Sequence, residues 1–240
     1  MNKRNLLITA FILVCFFSYS QEFAIGIKGG LNNNTIGNLN SRGGSFQTGH
    51  PDEIFTPNNK MGYLFGAFLN IEFGKLFIRP EVNYVELKNS YDFPNLESNW
   101  STNKIDVPVL VGYKIFDPVS IYLGPGFNFY SDVILDGANN THGPSAIAYY
   151  KSTTTLNFGV SVEFKRFGVD LRYEMANKET PEELQDIHHS VYGTNLTDVF
   201  SYKPSQISLS LNVFLFRTNA DDIGGLFSGL FRSNKCYCPY

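Results

Sequence analysis

The sequence predicts an all-β fold, an eight-stranded antiparallel up-and-down transmembrane β-barrel. Three observations predict it. Eight segments of roughly ten or more residues place apolar side chains at every second position, the period of a sheet with one apolar and one polar face. The links between them alternate long and short, as in a barrel with one ornate rim and one plain rim. The first twenty residues read as a secretory signal.

The signal comes first in the chain. Lys3 and Arg4 form a positive start, and Leu6 to Phe17 an apolar stretch too short to span a bilayer comfortably. Ser18-Tyr19-Ser20 offers small residues for cleavage before Gln21. A lipoprotein site at Cys15 is the rival, opposed by the bulky Val14 before it and by Phe16-Phe17, which prolong the apolar run. The expected organisation is a signal peptide over 1–20, a barrel over 21–216 and a periplasmic tail over 217–240.

The chain carries 19 basic and 22 acidic residues, a balance with no nucleic-acid footprint. No later segment has eighteen consecutive apolar residues, so no transmembrane helix is expected. Aromatic residues reach 15%, with 22 Phe and 14 Tyr, the types that form interfacial girdles on barrels. Cleavage would leave only Cys236 and Cys238, too few for a disulfide-stapled fold.

The expected strands are Phe23–Asn32, Met61–Glu72, Leu76–Leu87, Thr102–Ile115, Val119–Ser131, Thr154–Lys165, Gly168–Met175 and Ser205–Phe216. The fourth is the clearest. Ile105, Val107, Val109, Val111 and Tyr113 share one face; Lys104, Asp106, Pro108, Leu110, Gly112 and Lys114 share the other. Each strand can cross a tilted path through a bilayer, which takes about 9–11 residues. The short links, 73–75, 116–118 and 166–167, read as periplasmic turns. The long ones, 33–60, 88–101, 132–153 and 176–204, read as surface loops rich in Asn, Gly, Ser, Thr and Pro. Thr180-Pro181-Glu182-Glu183 predicts a short helix, with a cap residue, proline at the first position and glutamate three after the cap. Gly62, Gly66, Gly112, Gly124, Gly126 and Gly159 fall on the polar face, where small residues relieve crowding.

An eight-stranded barrel holds side chains and little else. Its inward faces would carry Lys28, Arg79, Glu81, Lys104, Asp106, Glu163, Asp170, Arg172 and Glu174. Buried charges must pair or cost several kcal/mol each, so a salt-bridge network is expected through the lumen. A two-residue turn at Arg166-Phe167 would set Glu163 opposite Asp170, two carboxylates that repel, with Arg172, Arg79 or Lys104 placed to neutralise them. Read as an acid/base dyad, the same pair would have no substrate access through a plugged lumen. No catalytic residue, metal or cofactor is assigned. His188-His189-Ser190 in the fourth long link resembles a metal site or a hydrolase fragment, and its plainer reading is a solvated loop, or histidines near a helix C-terminus. His50 and His142 sit in other long links. Cys236-Tyr237-Cys238 lacks the further ligands that a metal site needs.

Several segments resemble a known family. Pro80-Glu81-Val82-Asn83-Tyr84 is similar to the Pro-Glu-apolar-x-Tyr pattern of PorT-like outer-membrane barrels of Bacteroidetes. Residues 23–32 resemble that family's first strand, and Ile105-Asp106-Val107-Pro108-Val109-Leu110 another of its strands. Gly124-Pro125-Gly126 and Val169-Asp170-Leu171-Arg172-Tyr173 resemble its fifth and seventh. The resemblance covers roughly residues 21–216. It implies an eight-stranded barrel inserted in outer-membrane lipid by the general barrel assembly machinery, without a shared catalytic motif. The 24 residues after Phe216 depart from it. Within them, residues 223–231 form an apolar, glycine-bearing segment that suits a membrane surface, a protein partner or a loosely ordered tail.

The expected function is non-enzymatic: binding through surface loops, or service in an envelope or secretion complex, with a protein partner engaged by the loops or the tail. The alternative is a small passive pore. A membrane-embedded lipid hydrolase and a soluble lipocalin-like barrel rank below these, the last because it would put the charged set on the outer wall.

Overall fold

The computed structural model describes residues 21–42 and 53–218. The signal segment, Cys15, His50 and the tail beyond Thr218 with Cys236 and Cys238 lie outside the described residues. In chain order the elements are β1 (Gln21–Thr35), β2 (Leu39–Ser41), β3 (Ile54–Phe55), β4 (Pro57–Lys60), β5 (Gly62–Phe73), β6 (Leu76–Asp92), β7 (Glu97–Phe116), β8 (Val119–Tyr130), β9 (Ile134–Leu135), β10 (Ser152–Glu163), β11 (Phe167–Ala176), β12 (Glu183–Asp186), a short helix α1 (His189–Tyr192), β13 (Leu196–Val199) and β14 (Ser205–Thr218).

Eight of these close a ring in which each strand pairs antiparallel with its neighbours: β1-β5-β6-β7-β8-β10-β11-β14, and back to β1. Closure removes every free sheet edge, and strict alternation sorts the side chains. Ile25, Phe65, Val111, Leu123, Phe158, Leu171 and Leu209 point out and are exposed, whereas Lys28, Phe68, Leu110, Tyr122, Asn157, Arg172 and Ser208 point in and are buried. On β7 the outward apolar row runs from Ile105 to Ile115. That is about 33 Å of strand, and about 25 Å of height at a tilt of about 40°, the height of an apolar band facing hydrocarbon. No described helix is long and apolar enough to cross a membrane.

Glycine on the inner face makes room for large neighbours. A Cβ on Gly112 would lie 2.0 Å from the Phe77 ring, and one on Gly159 would lie 2.3 Å from the Tyr122 hydroxyl. The rings of Phe77 and Tyr122 thus occupy the space that a side chain would fill, and they form a small inner cluster with Leu110.

Two features of the short-turn rim depart from simple alternation. Between Phe214 and Phe216 the pairing with β1 shifts register, so Leu215 and Phe216 are both exposed and Arg217 returns to the inner side. β14 therefore continues two residues past Phe216, and Arg217 belongs to the barrel end. The β10–β11 register is Glu163 with Gly168 and Ser161 with Asp170, not Glu163 opposite Asp170. The turn falls one residue earlier than expected, on Lys165-Arg166, with the Phe164 N–H donating to the Phe167 carbonyl at 2.7 Å. This offset of two residues leaves the faces unchanged and separates the two carboxylates.

The described parts of the long links are not open loops. β6 and β7, 17 and 20 residues long, rise well past the apolar band, and β4 and β9 pair against their extensions. A separate four-stranded sheet, β12-β13-β2-β3, assembles from two of the links. Together they enclose an apolar core that includes Leu39, Phe55, Tyr91, Phe93, Trp100, Val133, Ile187 and Val199. The result is a folded cap over one mouth of the barrel.

The helix expected at 180–183 does not form. Thr180 pairs instead with Tyr202: its N–H donates to the Tyr202 carbonyl at 2.9 Å, and its Oγ1 accepts from the Tyr202 N–H at 3.1 Å. Glu183 begins β12, and its carboxylate accepts from the Ala148 N–H at 3.0 Å. The short helix lies further on, at 189–192, so the two histidines mark its start and not its C-terminus.

Candidate functional site

The lumen is a stack of polar layers built from alternate positions of the ring strands. In the middle layer, Lys28 from β1 meets Glu81 from β6 at 3.1 Å and Asp170 from β11 at 3.4 Å. Arg172 from β11 reaches the other oxygen of Glu81 at 2.8 Å and Asp170 at 3.6 Å. Its Nε donates to the Tyr122 hydroxyl at 3.2 Å. Two cations and two carboxylates thus share one site with nearly no solvent exposure, and charge-assisted bonds offset the cost of removing them from water.

Toward the short-turn rim, Arg79 lies fully buried between the rings of Phe68 and Phe77, 5.1 and 5.0 Å from their centroids. Its Nη2 binds Glu163 and its Nε donates to Asn70 at 3.1 Å. Glu72 binds Lys114, accepts from Asn70 at 2.7 Å and sits 3.5 Å from Arg217. Toward the cap, Lys104 binds Glu174 at 2.6 Å, and Asn128 donates to the same oxygen at 2.6 Å.

All nine charged residues expected on the inner faces stand there, Glu163 at the rim and the rest buried within the barrel. Eight of them enter ion pairs with one another. Asp106 does not. It accepts from Asn83 at 3.3 Å, its other oxygen has no hydrogen-bond partner, and no cation among the described residues lies within ion-pair distance. Residues beyond those nine complete the layers: Glu72, Lys114 and Arg217, with Asn70, Asn83, Asn128 and Tyr122. All but Arg217 were available from strand parity, since Asn70 and Glu72 follow Gly62 and Gly66 by even steps and Lys114 follows Lys104. Arg217 was hidden by the register shift at Leu215.

Two spaces flank the network. Where the charged layers meet the cap, among Lys104, Glu174, Tyr130, Trp100, Tyr149 and Tyr202, a cavity of about 10 Å³ remains, room for about one water. At the short-turn rim a vestibule of about 370 Å³ is lined by Lys75, Lys114, Glu163 and Arg217, with Ser120 and Pro118. On its inner side Glu163 is held by Arg79, which has no solvent exposure.

Within the cap, burial pushes the phenols of Tyr91, Tyr149 and Tyr202 up. The Tyr91 hydroxyl donates to the Gly37 carbonyl at 2.5 Å. The Asp198 carboxylate pushes the Arg42 guanidinium up. His142 contacts Glu183 at 2.7 Å, while His188 is exposed elsewhere with its N–H bound to the Gly137 carbonyl. Among the described residues no group of three or more His, Cys, Asp or Glu could hold a metal ion.

A ring of eight strands, an apolar outer band and a charged interior together describe a barrel built for lipid. The family profile for the outer membrane protein beta-barrel domain matches residues 19–176, well over half of the chain. The chain belongs to this outer-membrane β-barrel family. Among solved structures it is similar to the outer membrane protein OprG from Pseudomonas aeruginosa, at 10% identity and a TM-score of 0.46, over 84% of this chain and 97% of that one. It is also similar to Neisserial surface protein A, at 12% identity and a TM-score of 0.38, over 80% and 96% of the two chains. A third is Ail, the attachment invasion locus protein of Yersinia pestis, at 11% identity and a TM-score of 0.36, over 83% and 99%. No curated protein matches the chain. Family membership places the barrel in the outer membrane.

Proposed function

We propose that this protein is a non-conducting, non-enzymatic outer-membrane barrel whose work is done by its cap. The observation that carries the reading is the double closure of the lumen. Eight paired charges span it in layers, and an apolar core seals the mouth above them. A pore would need a continuous polar path. Here the fully buried Arg79 stands behind the vestibule, and the cavity under the cap has room for about one water.

On this reading the long links face outward and both barrel termini face the periplasm, after removal of residues 1–20. The general barrel assembly machinery inserts the chain. The strand motifs around Pro80-Glu81 and Ile105-Asp106 support a place among PorT-like barrels, and with it a role in binding or in an envelope complex. The cap suits that role because it is a folded surface of short strands and connecting loops, held over the membrane by the β6–β7 hairpin.

Planar-bilayer recording of the purified, heat-modifiable protein tests the proposal. The expected result is no stepwise conductance at moderate voltage. Sustained open channels would return the passive-pore reading to first place.

A further inference from the structure

The outer wall carries a groove that the closed-lumen reading does not use. It has a volume of about 310 Å³ and is lined by Phe127, Asn128 and Phe129 of β8, Ser152, Thr153 and Thr154 of β10, and Lys178. It straddles the edge of the apolar band. Below it both strands are apolar outside, pairing Leu123 with Phe158 and Ile121 with Val160. At the groove β8 remains aromatic while β10 turns polar, so Phe127 pairs with Thr154 and Phe129 with Ser152. Phe127 and Phe129 are 46% and 53% exposed.

Charge and hydrogen bonding favour an anion at the upper end. The exposed Lys178 lies 5.7 Å from the Tyr150 ring. It has no ion-pair partner among the described residues. Two lysines on β4 and β6 differ: Lys60 is held by Glu97 and Lys88 by Glu86, each at 2.8 Å. Thr154 Oγ1 accepts from the Asn177 side chain at 3.0 Å, which leaves its hydroxyl proton free to donate. An apolar floor under hydroxyls and an unpaired ammonium group matches an acyl chain below a phosphate.

We infer that this groove binds a phosphorylated lipid, its acyl chain along Phe127 and Phe129 and its phosphate on Lys178 and the Thr154 hydroxyl. The inference rests on the outer-membrane placement of the apolar band and not on closure of the lumen. A conductance result therefore leaves it standing, and its own failure leaves the closed lumen standing.

Native mass spectrometry of the full-length protein in neutral detergent tests it, with dioleoyl phosphatidic acid and dioleoylglycerol as probes. Retention of the phosphatidic acid in preference to dioleoylglycerol is expected. The lysine should contribute about fivefold, so Lys178→Ser lowers retention about fivefold. Lys60→Ser with Lys88→Ser should leave it unchanged. Heat-modifiable migration verifies that both variants are folded. Three results would overturn the site: equal retention of dioleoylglycerol, wild-type retention by the Lys178 variant, or full displacement of the lipid by millimolar inorganic phosphate.

Discussion

Glu81 is the residue on which most of the lumen converges. Each of its oxygens holds a different cation, Lys28 on one and Arg172 on the other, and Asn83 donates to it at 3.1 Å. Neutralising it leaves two buried cations with only Asp170 between them. Glu81→Gln is therefore expected to cost about 3 kcal/mol in urea unfolding of the barrel in lipid vesicles. Asp106 is the contrasting case. It is a buried carboxylate with no ionic partner, so Asp106→Asn should change stability by less than about 1 kcal/mol, or raise it. Equal losses for the two variants would contradict the ion-pair assignment. Packing makes a separate demand at Gly112. The Phe77 ring occupies the place of its side chain, so Gly112→Leu should cost about 1–3 kcal/mol. Adding Phe77→Ala should recover much of that loss, read from the same unfolding midpoints.

At the scale of elements, the ring strands and the cap respond to different stresses. The ring is held by a closed hydrogen-bond ladder, the cap by an apolar core in which tyrosines are buried neutral. Tyr91, Tyr149 and Tyr202 have phenols raised above their ordinary value of 10.0. Such groups stabilise the cap fully below the unfolded value, and the contribution is lost as pH rises beyond it, because the unfolded chain deprotonates first. The cap should loosen above about pH 10 while the ring persists. Trp100, the chain's single tryptophan, lies 3% exposed in the cap core and reports on the cap directly. Its emission maximum should shift to the red above that pH, with gel migration of the folded barrel unchanged. Simultaneous loss of both signals would show that cap and ring are one cooperative unit.

The same division explains what the sequence could reveal. Ring strands announce themselves because every second residue meets lipid, as Ile105 to Tyr113 do on β7. The eight ring strands fall within a few residues of their expected bounds, apart from the cap-side extensions of β6 and β7 and of β1 to Thr35. The cap strands carry no such period. Ile54–Phe55 is two residues long, and Leu39 is a lone apolar residue between Asn38 and Asn40. Their structure comes from pairing across more than a hundred residues, as between Leu39 and Val199, which no local window contains. Thr180-Pro181-Glu182-Glu183 has a helix-start pattern, but Tyr202 and Ala148 claim the groups that would have capped it. The inner charges were legible from parity alone. Parity and turn position also pointed to Arg79 and Arg172 as partners of Glu163 and Asp170, but not to Lys28 with Asp170, which lie 142 residues apart and meet only when the ring closes.

For the whole molecule, the account is a matter of orientation: one set of side chains dissolves in lipid while the adjacent set is sealed with its own counter-charges. Adjacent residues on β14 separate these environments, with Leu209 54% exposed on the outer wall and Ser208 7% exposed beside Arg172. Single cysteines at these positions, in a Cys236→Ser, Cys238→Ser background and in lipid vesicles, probe the two faces with a membrane-soluble and a water-soluble maleimide. The account predicts that Leu209→Cys reacts with the membrane-soluble reagent alone and that Ser208→Cys reacts with neither. Labelling of Ser208→Cys from the lipid phase, with Leu209→Cys open to the aqueous reagent, would contradict it.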